Sequence, residues 1–290
     1  MDFLQPTTWH EALAMKADRP EALPILGGTD VMVELNFDRR RPEALLDLTR
    51  VPDLSEWAQV DGWLRVGAGV TYTRIISELG DRLPGLAIAS RTVGSPQIRN
   101  RGTVGGNLGT ASPAGDALPP LLAAEAEVEV ASIGGSRRVP MRAFCIGPKR
   151  SVLRSDELIA AFWAPPASGP QQFAKVGTRN AMVIAVASFA LELDPVRRRV
   201  GTGIGSAGPT PLVAEEAQGF IERVLADDDR WTSRAELPAG AADRFGVLVA
   251  KAARPIDDVR GRAGYRRHAL SVMARRTLSW AWAEYRGRQP

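Results

Sequence analysis

Apolar and polar positions change rhythm several times along the chain, and each change marks an element. Thr8-Trp9-His10-Glu11 has the spacing of a capping box and predicts a helix to about Ala17. "ALPILGG" is a short apolar run ending in two glycines, which predicts a buried strand entering a tight turn. "ALLDL", Ala44–Leu48, reads as a second strand. "WLRVGAGV" alternates with period two and predicts another. Thr71 can cap a helix to about Leu79, and Pro84 can start one reaching Ser90. Gly115–Ala124 reads as a helix with Asp116 in its first turn. "EAEVEVAS" and "RRVP" form a hairpin pattern through Gly134-Gly135, and "ELIAAFWAP" is a strand closed by two prolines.

Ala164–Gln171, "APPASGPQ", breaks the apolar rhythm and is the best candidate for a domain boundary. Three strand patterns follow it, "FAKVG", "ASFALELD" and "RVGTGIGSAG". Then come three helical patterns, Pro211–Leu225, Ala241–Ala253 and Tyr265–Tyr285. In the last, Tyr265, Leu270, Val272, Met273, Leu278 and Trp282 form an apolar stripe, with Arg266, Arg267, Arg275 and Arg276 flanking it as an outer face. The expected organisation is a domain over 1–165, with subdomains of about 1–55 and 56–165, followed by a domain over 172–290.

Composition narrows the classes. Of 290 residues, 44% are hydrophobic and 24% charged, which excludes a disordered chain. The single cysteine, Cys145, excludes an internal disulfide and argues against an iron–sulfur cluster within this chain. The two histidines, His10 and His268, lie far apart and support neither a zinc site nor a Ser-His-Asp constellation. The N-terminus lacks a secretory pattern, and no apolar run is long enough to span a membrane, so the expected location is cytoplasmic. Net charge is +4, but ten Lys/Arg against three Asp/Glu from Lys251 onward leave a local surplus of seven. Helical periodicity there favours a partner subunit or a solvated face over nucleic acid.

Two glycine-bearing stretches carry the chemistry. In "LPILGGTDVMVEL", Gly27-Gly28 can turn a strand exit into a nest of backbone N–H groups, with Thr29 adding a hydroxyl and Asp30 a carboxylate. A plain strand–turn with an Asx-type bond reads the same stretch equally well. It is neither a Rossmann nor a Walker loop: the glycines are adjacent, no G-K-[ST] follows, and "VMVELNFDRRR" is not a clean helix pattern. "NRGTVGGNLGTASPAGD", Asn100–Asp116, repeats the theme with Thr103, Gly106 and Asn107. A slack loop is the rival reading. Two such elements can grip one extended ligand, a pyrophosphate with a sugar on each side, and Asp116 suits a sugar hydroxyl. Lys175, in a strand pattern, can face an anionic cofactor or simply be a snorkelling surface lysine. No nucleophile–base pair accompanies these features, which fits a redox cofactor that brings its own chemistry.

"ILGGTDVMVEL" and "IRNRGTVGGNLGTASPAGDALPPLLA", in that order, resemble the FAD-binding (medium) subunit of the molybdenum hydroxylases, which include xanthine dehydrogenase and aerobic carbon monoxide dehydrogenase. "DELIAAFWAP", "FAKVGTRNAMVIAVASFALEL" and "DDVRGRAGYRRHALSVMARRTL" extend the resemblance over nearly the whole chain. It implies an α+β protein. A vanillyl-alcohol-oxidase-like FAD-binding domain of two α/β subdomains would precede a C-terminal domain with a three-stranded antiparallel sheet and a helical bundle. It implies that Leu26, Gly27, Gly28, Thr29, Asp30, Thr103, Gly106 and Asn107 line the FAD pyrophosphate and that Asp116 binds a ribityl or ribose hydroxyl. Ile159 would pack near the isoalloxazine and Lys175 near the flavin's polar edge. Val93 stands where eukaryotic-type relatives have an aromatic residue beside the flavin. The resemblance also implies partners: an iron–sulfur subunit with [2Fe-2S] clusters and a molybdopterin-binding subunit with the molybdenum cofactor, as a dimer of heterotrimers. The acceptor would be NAD, a quinone or oxygen. The alternatives are a standalone FAD-dependent oxidoreductase of the same fold superfamily and a basic nucleic-acid-binding module.

Overall fold

The computed structural model describes residues 1–287. Three short strands, β1 (Asp2–Leu4), β2 (Leu23–Ile25) and β3 (Ala44–Asp47), form a parallel sheet in the order β1-β3-β2. The helix Trp9–Asp18 connects the first two. Thr8 caps it as expected, its Oγ1 accepting the Glu11 N–H at 3.2 Å. The Glu11 carboxylate reaches one residue further back than a capping box requires, accepting from the Thr7 N–H at 2.7 Å.

β4 (Trp57–Val60), β5 (Trp63–Gly67), β6 (Glu127–Ser132) and β7 (Gly135–Pro140) belong to a second sheet. A small hairpin of β8 (Cys145–Gly147) and β9 (Arg150–Ser151) follows. β10 (Leu158–Ala164) then completes the second sheet, which is antiparallel throughout in the order β4-β5-β10-β6-β7. β10 is buried at all seven positions, which is why its sequence is a continuous apolar run. These elements share one core, from Ala12 through Leu46, Ile75 and Leu108 to Phe144 and Phe162.

β11 (Gln171–Val176), β12 (Ala187–Asp194) and β13 (Arg199–Gly205) form an antiparallel sheet in that order. Helices Glu215–Ala226, Ala241–Ala252 and Ala263–Gly287 cover one face around a second core, where Phe189 meets Phe245 edge-on at 6.2 Å. The sheet also packs against helices Pro84–Arg91 and Leu118–Ala123 through Ala89, Ala123, Phe173 and Ala190. Buried polar groups stitch this seam. Gln171 Oε1 accepts the Gly85 N–H at 3.0 Å, its Nε2 donates to Glu192 at 2.9 Å, and Arg199 donates to both Glu192 and the Ala123 carbonyl at 3.0 Å. The third sheet thus braces two helices whose ends carry Val93 and Asp116.

Several local expectations change. The helix expected over Gly115–Ala124 covers only Leu118–Ala123. Asp116 lies before it, in a turn closed by the Leu118 N–H on the Gly115 carbonyl at 3.2 Å. Pro119 and Pro120, lacking N–H groups, suit a first helical turn and fix the start there. Val31–Asn36, whose sequence is not a clean helix pattern, is a short helix. Leu212 pairs with Ile204 in a β-bridge, so the helix expected from Pro211 begins at Glu215. In the last helix, Tyr265 is 51% exposed and Val272 half-buried, so neither joins the core stripe. Arg266, read as outer-face, is 3% exposed. It donates to the Ser206 carbonyl at 2.6 Å and pairs with Asp258, because it lies one turn behind Leu270 on the inward face.

Candidate functional site

The two glycine stretches touch each other. A side chain at Gly27 would run into the Arg101 carbonyl, so its glycine identity is used for backbone-to-backbone contact between the stretches. Gly28 takes φ 71°, the left-handed conformation that turns the chain into helix Val31–Asn36. The Asp30 carboxylate accepts from the Thr110 hydroxyl at 3.0 Å, a second tie across 80 residues of sequence.

The second stretch is not the irregular nest its glycines suggest. Val104–Thr110 is helical. Thr103 caps it, with Oγ1 accepting the Gly106 N–H at 2.9 Å, so that N–H is already satisfied within the chain. Three glycines within this run obscure it, since glycine is a poor helix former. Tertiary contact with the Ala68 backbone through Gly105 overrides that propensity.

Between these elements lies a cavity of about 540 Å³, in the usual range for small-molecule sites. Leu26, Gly27, Gly28, Thr29, Asp30, Val93, Thr103, Gly106, Asn107, Asp116 and Ile159 all line it. Ile159 reaches it from the β-bulge in β10 between Ile159 and Ala161. Lys175 does not line it. Its stem lines a neighbouring groove, while its ammonium points through the seam to Asp116 Oδ2 at 2.5 Å and the Thr92 carbonyl at 3.1 Å. The surface-snorkelling reading therefore fails: the side chains of this pair are only 8% and 9% exposed.

Burial pushes the Asp116 carboxyl above its ordinary value, against the pull of Lys175 and a Thr92 hydroxyl bond. Asp116 Oδ1 is buried without a hydrogen-bond partner, and so is Asn107 Oδ1. Two orphaned acceptors in one cavity wall each carry a desolvation cost that a ligand hydroxyl or N–H would relieve. Sequence reasoning missed Tyr72, Glu34, Arg40 and Lys149, which also line the cavity. Tyr72 is buried, and burial, then the Asp116 charge, raise its phenol and keep it neutral. Glu34 accepts from Lys149 at 2.5 Å and lies 3.8 Å from Arg40, making a charged rim. The run "NFDRRR" and the lone Lys149 carried no periodicity that would have drawn them together.

Among the described residues no cluster of histidine, cysteine or acidic groups can hold a metal. The Cys145 thiol is pushed up to about 11 by burial, so it stays protonated at neutral pH. Apolar walls from Val93 and Ile159, two unpartnered acceptors and the paired glycine stretches suit an extended cofactor with sugar or ribityl hydroxyls. The residues present therefore fit FAD.

A family model described as the FAD binding domain in molybdopterin dehydrogenase matches residues 1–167. The xanthine dehydrogenase FAD-binding subunit of Escherichia coli O157:H7 is 29% identical over 291 aligned positions, covering 97% of this chain and 96% of its own. The nicotine 6-hydroxylase medium subunit of Paenarthrobacter nicotinovorans is 30% identical, with 97% of each chain covered. Among solved structures, a chain of carbon monoxide dehydrogenase from Hydrogenophaga pseudoflava superposes with a TM-score of 0.87 at 26% identity, covering 98% of both chains.

Proposed function

The chain belongs to the family of FAD-binding subunits of molybdopterin dehydrogenases, and from that premise we propose that it relays electrons within a heteromeric molybdenum hydroxylase. It is an FAD-dependent oxidoreductase subunit of the xanthine and carbon monoxide dehydrogenase type. In the proposed complex, electrons leave [2Fe-2S] clusters on an iron–sulfur chain, fed by the molybdenum cofactor of a third chain. FAD held by this chain would be the relay to NAD, a quinone or oxygen. The assembly would be a dimer of heterotrimers. Residues 1–165 would hold the flavin and 172–290 would brace it.

Bound FAD would supply the two-electron chemistry; the chain's own residues bind and orient it. Gly27, Gly28, Thr29, Thr103 and Gly106 would border the pyrophosphate, with Leu26, Asp30 and Asn107 beside them. Asp116 would accept from a ribityl or ribose hydroxyl. Val93 and Ile159 would exclude water beside the ring system. Lys175 would act at one remove, fixing the Asp116 carboxylate. The single observation that carries this reading is the pair of orphaned acceptors, Asn107 Oδ1 and Asp116 Oδ1, in a cavity walled by both glycine stretches.

Purified chain should carry flavin absorbance or take up FAD on titration, and the co-expressed complex should contain flavin, molybdenum and iron. Failure to bind FAD both alone and in the complex overturns the proposal. A flavin-loaded monomer that turns over a substrate alone would favour a standalone oxidoreductase instead.

A further inference from the structure

The helix Tyr72–Glu78 begins with a cavity-lining residue that lies outside both glycine stretches. Thr71 caps the helix, its Oγ1 accepting the Arg74 N–H at 3.4 Å. Tyr72 follows in the first turn, and its backbone is tied to the second stretch. Its N–H donates to the Gly102 carbonyl at 3.0 Å, and Thr71 forms a β-bridge with Thr103, the cap of helix Val104–Thr110. The ring lies along Gly102, where a side chain would come within 3.3 Å of it. Backbone and ring together hold Tyr72 in the core that Val104 and Leu108 also join. Packing of this kind asks only for an aromatic ring, which phenylalanine would supply.

The hydroxyl is what packing does not explain. Tyr72 is 3% exposed, and among the described residues its phenol has no hydrogen-bond partner. A buried hydroxyl left unpaired costs the free chain stability. Asp116 Oδ1, on another lining residue, is the complementary case, a buried acceptor without a partner. Burial and the Asp116 charge keep the phenol neutral, so it is available as a donor. Yet the two groups do not bond to each other: the bonds Asp116 accepts, from Lys175 and Thr92, are both on Oδ2. An unpaired donor and an unpaired acceptor in one cavity are both satisfied by a group that accepts and donates at once. A hydroxyl does this. A phosphate oxygen or a flavin carbonyl only accepts, and a flavin N–H only donates, so none of these serves both.

We propose that Tyr72 and Asp116 hold one hydroxyl of the cofactor between them, the phenol O–H donating to the hydroxyl oxygen and the hydroxyl donating to Asp116 Oδ1. This rests on the FAD reading above and adds to it a donor from outside the two glycine stretches. A ribityl and a ribose hydroxyl share the required chemistry. Tyr72 is then a cofactor-positioning residue whose hydroxyl is a cost to the empty chain and a gain to the loaded one.

The test titrates the full chain with FAD, following flavin fluorescence, beside urea denaturation of the flavin-free chain. Tyr72→Phe keeps the ring. It should leave apo stability unchanged or raise it, while the FAD dissociation constant rises about two- to tenfold. A phenol with a merely structural role would do the reverse, losing stability and keeping affinity. Tyr72→Phe is then added to Asp116→Ala/Lys175→Met, which removes the carboxylate without stranding the lysine. The combined loss of affinity should fall short of the product of the separate losses by at least about twofold, as for groups in one hydrogen-bond network. FAD analogues lacking single ribityl hydroxyls locate the shared group. Wild type and Tyr72→Phe should bind alike the analogue that lacks it, and if they differ on every ribityl analogue the shared group is a ribose hydroxyl. Wild-type FAD affinity in Tyr72→Phe overturns the proposal and leaves the phenol to water alone. Losses that multiply in full also overturn it, because the two side chains then hold different groups. A wild-type chain that takes up no FAD, alone or in its complex, overturns the FAD reading as well, which keeps the two failures apart.

Discussion

Asp116 carries two jobs that a pair of variants separates. Its Oδ2 neutralises Lys175 at 2.5 Å, and its Oδ1 is a buried acceptor without a partner, on a residue that lines the cavity. With side chains only 8% and 9% exposed, the pair is a buried one. Removing one partner of such a pair costs about 3–5 kcal/mol, because the other charge stays buried alone. Asp116→Ala should therefore lower apo-protein stability by about that amount in urea denaturation. It should also delete a hydroxyl–carboxylate bond to FAD worth about 1.5–3 kcal/mol, a roughly ten- to hundredfold rise in the flavin dissociation constant. Asp116→Ala/Lys175→Met removes the stranded cation as well. Replacing a whole buried pair by apolar groups is often neutral, so apo stability should return to near wild type. Lys175 does not line the cavity, so flavin affinity should stay low. Recovery of flavin affinity together with stability would refute the hydroxyl assignment and leave Asp116 a purely structural residue.

Three further outcomes are expected. Gly106→Val meets only the Thr103 hydroxyl at 3.2 Å before projecting into the cavity, so circular dichroism should stay native while flavin absorbance is lost. Gly27→Ala drives a methyl into the Arg101 carbonyl and should destabilise the apo chain by about 1–3 kcal/mol, read by chemical denaturation. For Asp258, burial opposes the charge, but the Arg260 N–H, a bond from Arg266 and the two guanidiniums outweigh it and lower the carboxyl from 3.8 to about 2. A depressed folded value means stability present above 3.8 and lost as pH falls toward 2. Asp258→Asn should remove that part of the acid sensitivity in pH-dependent melts.

The elements with a clean rhythm were legible from the sequence. The β6–β7 hairpin, β10, the three strands β11–β13 and the capped helices at Thr8 and Thr71 follow from alternation, apolar runs and hydroxyl caps, which are local properties. The helix Val104–Thr110 was hidden because its glycines oppose helix formation, and its support comes from tertiary contacts, with Ala68 and in the core through Val104 and Leu108. Most of the cavity residues were legible too, since glycine, hydroxyl and carboxylate cluster within the two stretches. The Asp116–Lys175 pair was not, because it joins positions 59 residues apart across a sheet–helix seam that no periodicity announces. Arg40, Tyr72 and Lys149 were missed because they lie outside both stretches, and Glu34 because nothing local marks it as a lining residue.

The contact between Gly27 and the Arg101 backbone, reinforced by the Asp30–Thr110 bond, bears on how this chain can be re-engineered or recombined. The two stretches are not interchangeable cassettes. A chimaera that imports residues 23–36 from a relative without residues 96–116 inherits a mismatched backbone seam before any ligand is considered. Crossovers should be tolerated outside this block and penalised within it, so the sequence between the stretches can drift while the stretches themselves must change together.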